Sequence, residues 1–223
     1  MDTITCYGFL ANFIEARKKA DRPLIVGING VDGSGKTTFA ENMAEVLEER
    51  GHDVCRISID NFHHPRQHRH RRGSESPEAF YLDSMNYEVF ADKALRPAFD
   101  MQKNTVSCQT KLFDLATDKE DARFQKINRN TIILAEGVFL FRPEIAPLLH
   151  IKIFIHADFK TILDRVKVRD AHLMGSPEQV RARYERKYIP GQELYFKDVN
   201  PANLADVIVD NNDFENPEII MMG

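Results

Sequence analysis

The stretch that most constrains this chain is a glycine-rich segment, GVDGSGKT, at residues 30–37. It matches the pattern G-x-x-x-x-G-K-[ST] at every position, and it lies between a short apolar run and an amphipathic segment. Glycines let such a backbone turn inward, so that successive N–H groups surround a phosphate while the following helix points its positive end at the same place. A chance glycine-rich turn would not carry these flanking patterns as well. The segment therefore predicts a phosphate loop that binds a nucleoside triphosphate.

The predicted nucleotide contacts lie in this loop or directly after it, and they are Gly30, Asp32, Gly33, Ser34, Gly35, Lys36, Thr37 and Thr38. Two of them also have a predicted role in the chemistry. Lys36 is expected to reach the outer phosphates of ATP and to act in catalysis, and the Thr37 hydroxyl is expected to ligate Mg²⁺. ATP and Mg²⁺ are therefore the predicted cofactors.

Short apolar runs rich in β-branched residues alternate with helical patterns along the chain. The runs that indicate buried strands lie at residues 23–30, 53–60, 131–137, 150–157 and 205–211. This alternation predicts an α/β fold, here a P-loop NTPase three-layer sandwich with a central parallel sheet of about five strands. We expect a single domain over residues 1–223, with a small substrate-side insertion at 61–125 and a basic lid at 158–190.

Composition narrows the class of partner. The net charge is −4 at pH 7, so the chain lacks the basic surplus of a dedicated nucleic-acid binder. Its three cysteines are far apart, which argues against a disulfide framework or structural zinc and favours a reducing compartment. A signal-peptide pattern is missing, and no apolar run is long enough to span a membrane. We expect a cytoplasmic protein that binds neither nucleic acid nor a membrane, with homo-oligomerisation left open.

Two acidic residues, Asp60 in RISID and Glu136 in ILAEG, end predicted strands. In open α/β sheets the ligand crevice lies beyond the carboxyl ends of the strands, so both carboxylates are expected to face the phosphate loop. One can hold Mg²⁺ while the other accepts the proton of an attacking hydroxyl. Each acid could instead only cap the turn after its strand, but two such acids beside a phosphate loop favour the catalytic interpretation.

Arg165 and Arg169 lie four residues apart in DRVKVRD, hence on one face of a predicted helix. A basic helix that closes over the γ-phosphate would neutralise charge during phosphoryl transfer, so both arginines are predicted to be catalytic. The alternative is a solvated basic face with no role in the reaction.

The segments GINGVDGSGKTTFA, ISIDNFH, AEGVF, RVKVRD and ADVIVDN resemble, in order and spacing, the uridine kinase and phosphoribulokinase-like group of P-loop kinases. The resemblance runs from about Leu24 to Asn211, and the strand-ending D-x-F and E-G motifs are its more specific parts. It implies that Asp60 is the base toward the acceptor hydroxyl and that Glu136 lies near Mg²⁺. It also implies that the two lid arginines touch the phosphates.

The same resemblance implies contacts to the acceptor. Asp83, in the segment FYLD that also supplies Tyr81, lines up with the aspartate that holds ribose hydroxyls in uridine kinases. Phe113 resembles an aromatic residue of a hairpin that flanks the pyrimidine, here without a tyrosine hydroxyl. Thr117 and Asp118 stand where uridine kinases usually supply a histidine and then an arginine. Asp83, Tyr81 and Phe113 are therefore predicted substrate contacts in a site that departs from the family pattern.

The stretch HHPRQHRHRR, residues 63–72, begins three residues after Asp60 and alternates histidine with arginine. A metal site is disfavoured because neighbouring arginines repel a cation, and a nucleic-acid patch is disfavoured because aromatic residues are not interleaved. A flexible loop that closes over substrate and phosphates is the favoured interpretation, and a solvated loop is the alternative. His63 and Arg66, nearest Asp60, are predicted substrate contacts. The far end is expected to meet water or the lid.

These features together predict an ATP- and Mg²⁺-dependent kinase for a small hydroxyl metabolite. The resemblance favours the 5′-hydroxyl of uridine or cytidine as the acceptor. Pantothenate or another non-nucleoside hydroxyl metabolite is an alternative, since the insertion also resembles a stretch of bacterial pantothenate kinases. A third possibility is a nucleotide-driven switch or regulatory ATPase, for which water would be the acceptor.

Overall fold

The apolar runs of the sequence lie side by side in one sheet of the computed structural model, which describes residues 3–222. The strands, in chain order, are β1 (Leu24–Gly30), β2 (Val54–Ser58), β3 (Thr105–Asp114), β4 (Lys119–Asn128), β5 (Ile132–Gly137), β6 (Ile151–His156), β7 (Val207–Asp210) and β8 (Glu218–Met222). The main sheet has the order β2-β5-β1-β6-β7-β8, and β3 and β4 pair separately as an antiparallel hairpin.

The five predicted strands are confirmed as neighbouring parallel strands, and the α/β fold class is confirmed with them. The sequence-based prediction missed β8, which adds to the sheet edge as an antiparallel strand and makes six in total. β8 has four consecutive apolar residues, Ile219 to Met222, but all of its residues are half-buried or exposed at the sheet edge, unlike the buried strands that were predicted.

One helix precedes β1, and the other helices lie between strands along the chain. The helices are α1 (Thr3–Glu15), α2 (Lys36–Glu49), α3 (Arg66–Arg69), α4 (Pro77–Asp83), α5 (Tyr87–Val89), α6 (Arg96–Phe99), α7 (Phe159–Arg169), α8 (Ala171–Met174), α9 (Pro177–Arg183), α10 (Ile189–Val199) and α11 (Pro201–Leu204). π-helical turns at residues 90–95 and 184–188 join α5 to α6 and α9 to α10.

Side chains of β1 alternate between two apolar layers, as the pleat of a strand requires. Leu24, Val26 and Ile28 pack with α1 and α2 on one face of the sheet. Ile25 lies on the other face, in a core shared with the insertion between β2 and β5 and with Tyr195 of α10. The sheet is thus covered on both faces, which gives the three layers predicted from the alternation of strands and helices.

The insertion between β2 and β5 contains four short helices, α3 to α6, and the β3–β4 hairpin. The hairpin spans residues 105–128 and includes Phe113, which the resemblance places in a hairpin. The lid region, α7 to α9, has its own apolar cluster, in which Ile162 and Val166 of α7 pack with Val180 of α9. The predicted domain limits, with the insertion at 61–125 and the lid at 158–190, remain predictions.

Strand register brings the carboxyl ends of three strands to one edge of the sheet. Glu136 of β5 is the register partner of Ile28 in β1 and of Ser58 in β2. The phosphate loop follows β1 and Asp60 follows β2, so both start from the edge where Glu136 lies. No helix within residues 3–222 has the length and apolar character needed to cross a membrane.

Candidate active site

The phosphate loop connects β1 to α2 through two glycines in the left-handed region, Gly33 at φ 83° and Gly35 at φ 90°. A side chain at Gly33 would also collide with the lid, because its Cβ would lie 2.8 Å from a methyl carbon of Val166. A side chain at Gly35 would approach the Asn211 amide nitrogen to 2.5 Å. Both positions therefore require glycine, because the backbone is left-handed there and because a side chain would have no room.

Lys36 is the first residue of α2 and is 5% exposed. Among residues 3–222, its ammonium makes no hydrogen bond or ion pair, so its charge is available to a phosphate. The buried hydroxyl of Ser34 also has no hydrogen-bond partner in the described chain. Two unpaired donor groups inside a glycine-rich loop are the arrangement that an oxyanion would satisfy.

Thr37 and Glu136 meet directly, since the Thr37 hydroxyl donates to the Glu136 carboxylate at 3.2 Å. Glu136 is 4% exposed, and burial raises its pKa above the ordinary value of 4.5. Lys36 and hydrogen bonds from Ser58 and Thr37 oppose that rise, whereas the negative charge of Asp60 adds to it. A hydroxyl and a carboxylate at this distance are the hard oxygen donors that Mg²⁺ prefers, so the residues present fit this ion.

Asp60 lies two residues beyond β2, in a short 3₁₀ turn over Ile59–Phe62, and its side chain is exposed. The prediction that β2 runs through Asp60 was therefore wrong by two residues. The Ser58 hydroxyl accepts from the Asp60 backbone N–H at 3.3 Å and so caps the turn. Because its charge acts on Glu136, Asp60 lies within electrostatic reach of the Thr37–Glu136 pair. Its role as base stays a prediction.

Arg165 of α7 reaches the back of the phosphate loop. Its guanidinium donates to the carbonyls of Asn211, Asn212 and Ser34 at 2.6, 3.1 and 3.4 Å. The Asn211 side-chain amide also donates to the Ser34 carbonyl, at 2.7 Å. Arg165 and Asn211 therefore hold the loop's backbone from outside, so that its N–H groups remain directed inward.

Arg169 lies one turn further along α7, and its guanidinium binds carboxylates of the protein. It donates to Asp170 at 2.6 Å and to Asp32 at 3.1 Å. The Tyr184 hydroxyl lies 2.5 Å from the Asp32 carboxylate and 2.9 Å from that of Asp170. Burial alone would raise the pKa of Asp32, but Lys36 and Arg169 lower it below the ordinary value. Arg169 and Tyr184 of the lid thus bind Asp32 of the phosphate loop.

A cavity of about 530 Å³ opens beside the phosphate loop, between α2, α7 and the segment after β7. Its lining includes the predicted Thr38 and, besides residues of the loop, the lid and the family-like segments, three further side chains, namely Tyr7, Asn42 and Phe214. These three come from α1, α2 and the loop before β8. None of them belongs to a motif, so only the folded chain brings them to the nucleotide side.

Asp83 is fully buried, and both of its carboxylate oxygens are bound by arginines of the stretch 63–72. Arg72 donates at 2.8 Å and Arg71 at a still shorter distance. The far end of this stretch was expected to meet water or the lid; Arg71 and Arg72 are about half exposed to water, and they also bind Asp83, which was not expected. Asp83 was predicted to hold ribose hydroxyls, and in the structure the chain's own guanidiniums occupy its oxygens.

Replacing Asp83 with asparagine is expected to lower the free energy of unfolding by about 1–2 kcal/mol at pH 7. Arg71 and Arg72 are about half exposed, and solvent screening keeps the loss below that of a fully buried pair. Chemical denaturation should show no such loss for Asp92→Asn, an exposed partner of Arg96.

The difference in unfolding free energy between wild type and Asp83→Asn should depend on pH. Burial raises the Asp83 pKa, but the two arginines outweigh burial and leave that pKa below the ordinary 3.8. A depressed carboxyl pKa contributes stability above the unfolded pKa and loses it as the pH falls through the folded pKa. The gap between wild type and Asp83→Asn should therefore be full above the unfolded pKa and should narrow as the pH falls below about 4. A gap that does not narrow on acidification would show that Asp83 stabilises the fold by other means.

The remaining predicted substrate contacts lie at different depths. Tyr81 is buried, packs against Phe139 and places its hydroxyl 2.5 Å from Asp198. Phe113 is buried in β3. His63 is half-buried, with its Nδ1 atom 2.6 Å from the Asp60 carbonyl, and Arg66 has an exposed side chain. Contact with a substrate stays a prediction for all of them.

The histidines of the stretch 63–72 do not assemble a cluster of metal ligands. His64 and His68 stack with ring centroids 3.9 Å apart. Across the part of the chain that the structure describes, no group of three or more histidine, cysteine or acidic side chains is arranged to hold a metal ion.

Comparison with known proteins agrees with the geometry of the loop and the sheet edge. Residues 25–211 match the model of the Phosphoribulokinase / Uridine kinase family. A uridine kinase of Chlamydia pneumoniae is 29% identical over 197 residues, which cover 85% of this chain and 82% of that protein. A uridine kinase of Deinococcus deserti is 28% identical over 207 residues, which cover 90% and 94%.

Solved structures show the same fold at lower identity. A chain described as a possible uridine kinase from Bacillus stearothermophilus superposes with a TM-score of 0.71 at 24% identity, covering 91% of this chain and 96% of that one. A D-glycerate 3-kinase from Cryptococcus neoformans superposes with a TM-score of 0.64 at 13% identity, covering 96% and 99%. The family match spans most of the sequence and includes the phosphate loop, Asp60 and Glu136. The chain therefore belongs to the phosphoribulokinase and uridine kinase family and is a nucleotide-binding P-loop kinase that acts on a small molecule.

Proposed function

We propose that this kinase transfers the γ-phosphoryl group of ATP to the 5′-hydroxyl of uridine or cytidine. The observation that carries the proposal is the convergence of Lys36, the Thr37–Glu136 pair and Asp60 at one edge of the sheet. Two curated relatives that align over most of the chain are named uridine kinases, which supports a nucleoside acceptor.

Each residue of the site would have a separate role in phosphoryl transfer. Lys36 and the inward N–H groups of the phosphate loop bind and orient the triphosphate. Asp60, the exposed acid beside this site, accepts the proton of the acceptor hydroxyl as that oxygen attacks phosphorus. Thr37 and Glu136 would hold Mg²⁺, which when bound neutralises charge on the phosphates.

The lid arginines would exchange hydrogen-bond partners when the nucleotide binds. Arg169 is bound by Asp32 and Asp170 through its guanidinium, and Arg165 is bound to loop carbonyls. A triphosphate in the loop would compete with Asp32 for Arg169, since both are anions within reach of one cation. Nucleotide binding would in this way be coupled to the position of α7.

A non-nucleoside acceptor such as pantothenate is the second candidate. The observation that favours it is the occupied carboxylate of Asp83, which leaves no free oxygen for a ribose diol unless Arg71 and Arg72 withdraw. The two candidates make opposite predictions about which acceptor accelerates turnover.

An ADP-release assay across nucleosides, pantothenate and sugar acids tests the function directly. Uridine or cytidine should raise the rate of ADP release well above the ATPase background of the same preparation. Strong stimulation by a carboxylate-bearing acceptor alone would replace the first candidate with the second. Identical release with every acceptor would indicate a regulatory ATPase and would end the kinase proposal.

Glu136 gives the reaction an expected pH dependence. Because burial raises its pKa above 4.5, Glu136 becomes protonated at a higher pH than an exposed glutamate and then loses its value as a metal ligand. The Mg²⁺ concentration for half-maximal turnover should therefore rise as the pH falls toward that elevated pKa. Glu136→Gln should need more Mg²⁺ than the wild type above that pKa, should approach the wild type below it, and should lose this pH dependence. An unchanged Mg²⁺ requirement in Glu136→Gln would remove Glu136 from the metal site.

A further inference from the structure

The stretch 63–72 lines a second cavity that the phosphate-transfer scheme does not use. This cavity measures about 330 Å³ and is bordered by Arg66, Arg69, His70, Leu115, Ala116, Asp118 and Arg183. It shares no lining residue with the cavity beside the phosphate loop. Three parts of the chain meet here, namely the basic stretch, the turn of the β3–β4 hairpin and helix α9 of the lid.

One wall of the cavity is fixed by the hairpin turn. Asp118 adopts a left-handed backbone conformation, φ 54°, and its carboxylate accepts from the Arg66 backbone N–H at 2.9 Å. The same carboxylate accepts from the Arg69 guanidinium at 3.2 Å, and Arg69 also donates to the His64 carbonyl at 2.7 Å. The Arg66 guanidinium has no hydrogen bond or ion pair within residues 3–222, so it borders the cavity as an uncommitted cation.

The opposite wall belongs to the lid. The Arg183 Nε atom is buried and has no hydrogen-bond partner in the described chain; the nearest carboxylate oxygen, on Glu75, is 3.7 Å away. Glu75 is held more closely by Arg186, at 2.6 Å. Lys187 is 8% exposed, and its ammonium donates to the Ser74 carbonyl at 2.6 Å.

Positive charge therefore exceeds negative charge around the cavity. The pKa of His70 is lowered first by burial and then by the charges of Arg69, Lys187, Arg66 and Arg183, which shows that all four cations act on one point. The pKa of Lys187 is likewise lowered by burial and by Arg183. A bound anion that accepts hydrogen bonds from several of these cations would reduce the repulsion between their charges.

We propose that this cavity is an oxyanion site, taking a phosphate or carboxylate group between Arg66 and Arg183 and so joining the lid to the acceptor-side loop. The two arginines belong to α3 and α9, and Glu75 and Ser74 already contact the lid nearby through Arg183, Arg186 and Lys187. An anion between them would hold the lid closed over the acceptor side. The anionic group could be carried by the acceptor itself or by a separate metabolite, and the two sources have different kinetic consequences.

Binding of inorganic phosphate to the full-length protein tests the site without reference to any acceptor. Saturation with a non-hydrolysable ATP analogue fills the phosphate loop, and constant ionic strength removes general screening effects. Arg66→Gln and Arg183→Gln should each weaken phosphate binding about tenfold or more, because each removes a charged donor. Arg181→Gln is the matched control, since Arg181 lies on the same helix and is exposed and paired with Glu185.

Two results of the titration would overturn the site, namely no phosphate binding to the analogue-saturated protein, or equal binding in all three variants. Acceptor kinetics then identify the source of the anion. If the acceptor carries the charge, its KM should rise in Arg66→Gln and Arg183→Gln while KM for ATP stays constant. If a separate anion is bound, free phosphate should change KM for uridine in the wild type and in Arg181→Gln only. Failure of every acceptor would refute the proposed function and leave the phosphate titration as a valid test of this site.

Discussion

Asp60→Asn is expected to reduce the acceptor-dependent rate by about 10²–10⁴-fold, the range associated with loss of a general base. Asparagine keeps the size of the side chain and its hydrogen-bonding reach, but its amide cannot take up the proton of the attacking hydroxyl. The change should appear in kcat, while the Kd for ATP changes little, because Asp60 is not placed on the phosphates.

The position of Asp60 makes this variant informative about mechanism. Its side chain is exposed and the turn is held through Ser58 by a backbone N–H that the substitution leaves in place. The fold should therefore survive, which thermal denaturation can verify. Asp92→Asn is the control, since Asp92 is an exposed aspartate of the same insertion. If Asp60→Asn retained full acceptor-dependent turnover, the base would have to be sought elsewhere.

Lys36→Met is expected to weaken ATP binding by about 30–150-fold, equivalent to about 2–3 kcal/mol for a charged donor to phosphate. Methionine preserves most of the apolar stem of this buried side chain and removes only the ammonium. The loss of transfer rate should be larger than the loss of affinity, because charge develops on the phosphates in the transition state.

A direct binding titration with a fluorescent ATP analogue measures the affinity part of this prediction. Lys103→Met is the control, because Lys103 is an exposed lysine far from the phosphate loop in sequence. The variant should also raise the pKa of Asp32 and of Glu136, since Lys36 lowers both. Unchanged ATP affinity in Lys36→Met would mean that the loop does not bind the triphosphate in the predicted way.

The buried strands and the phosphate loop could be predicted because their information is local. A continuous apolar run such as residues 132–135 is buried on both faces of the sheet, and its position is evident without knowledge of the partners. The edge strand β8 also carries four consecutive apolar residues, but they are half-buried or exposed, and the strand was not predicted. Asp60 was predicted as the end of β2 and lies instead in a capped turn, since the Ser58 cap competes with strand extension.

The contacts around the loop could not be predicted, because they join residues that are far apart in the sequence. Tyr184 is 152 residues from Asp32, and Asn211 is 177 residues from Ser34. A sequence pattern can suggest that Arg169 is basic and on a lid, but not that carboxylates of the protein already bind it.

The basic stretch 63–72 shows the same limit in a different way. Its charge indicated an anion nearby, yet not that Arg71 and Arg72 bind the buried Asp83. The residues in its middle instead border the cavity shared with the lid. One charged stretch thus has two roles. Its far end forms an ion pair with Asp83, and its middle borders a candidate ligand site.

The central claim is that an alcohol, and not water, receives the phosphoryl group opposite Asp60. Incubation with γ-labelled ATP and the acceptor panel, followed by separation of phosphate esters from inorganic phosphate, measures this directly. The account predicts label in an ester of one acceptor with the wild type and at least a hundredfold less ester with Asp60→Asn, as expected for loss of a general base. Label found only as inorganic phosphate, at equal rates in both proteins and with every acceptor, would contradict it.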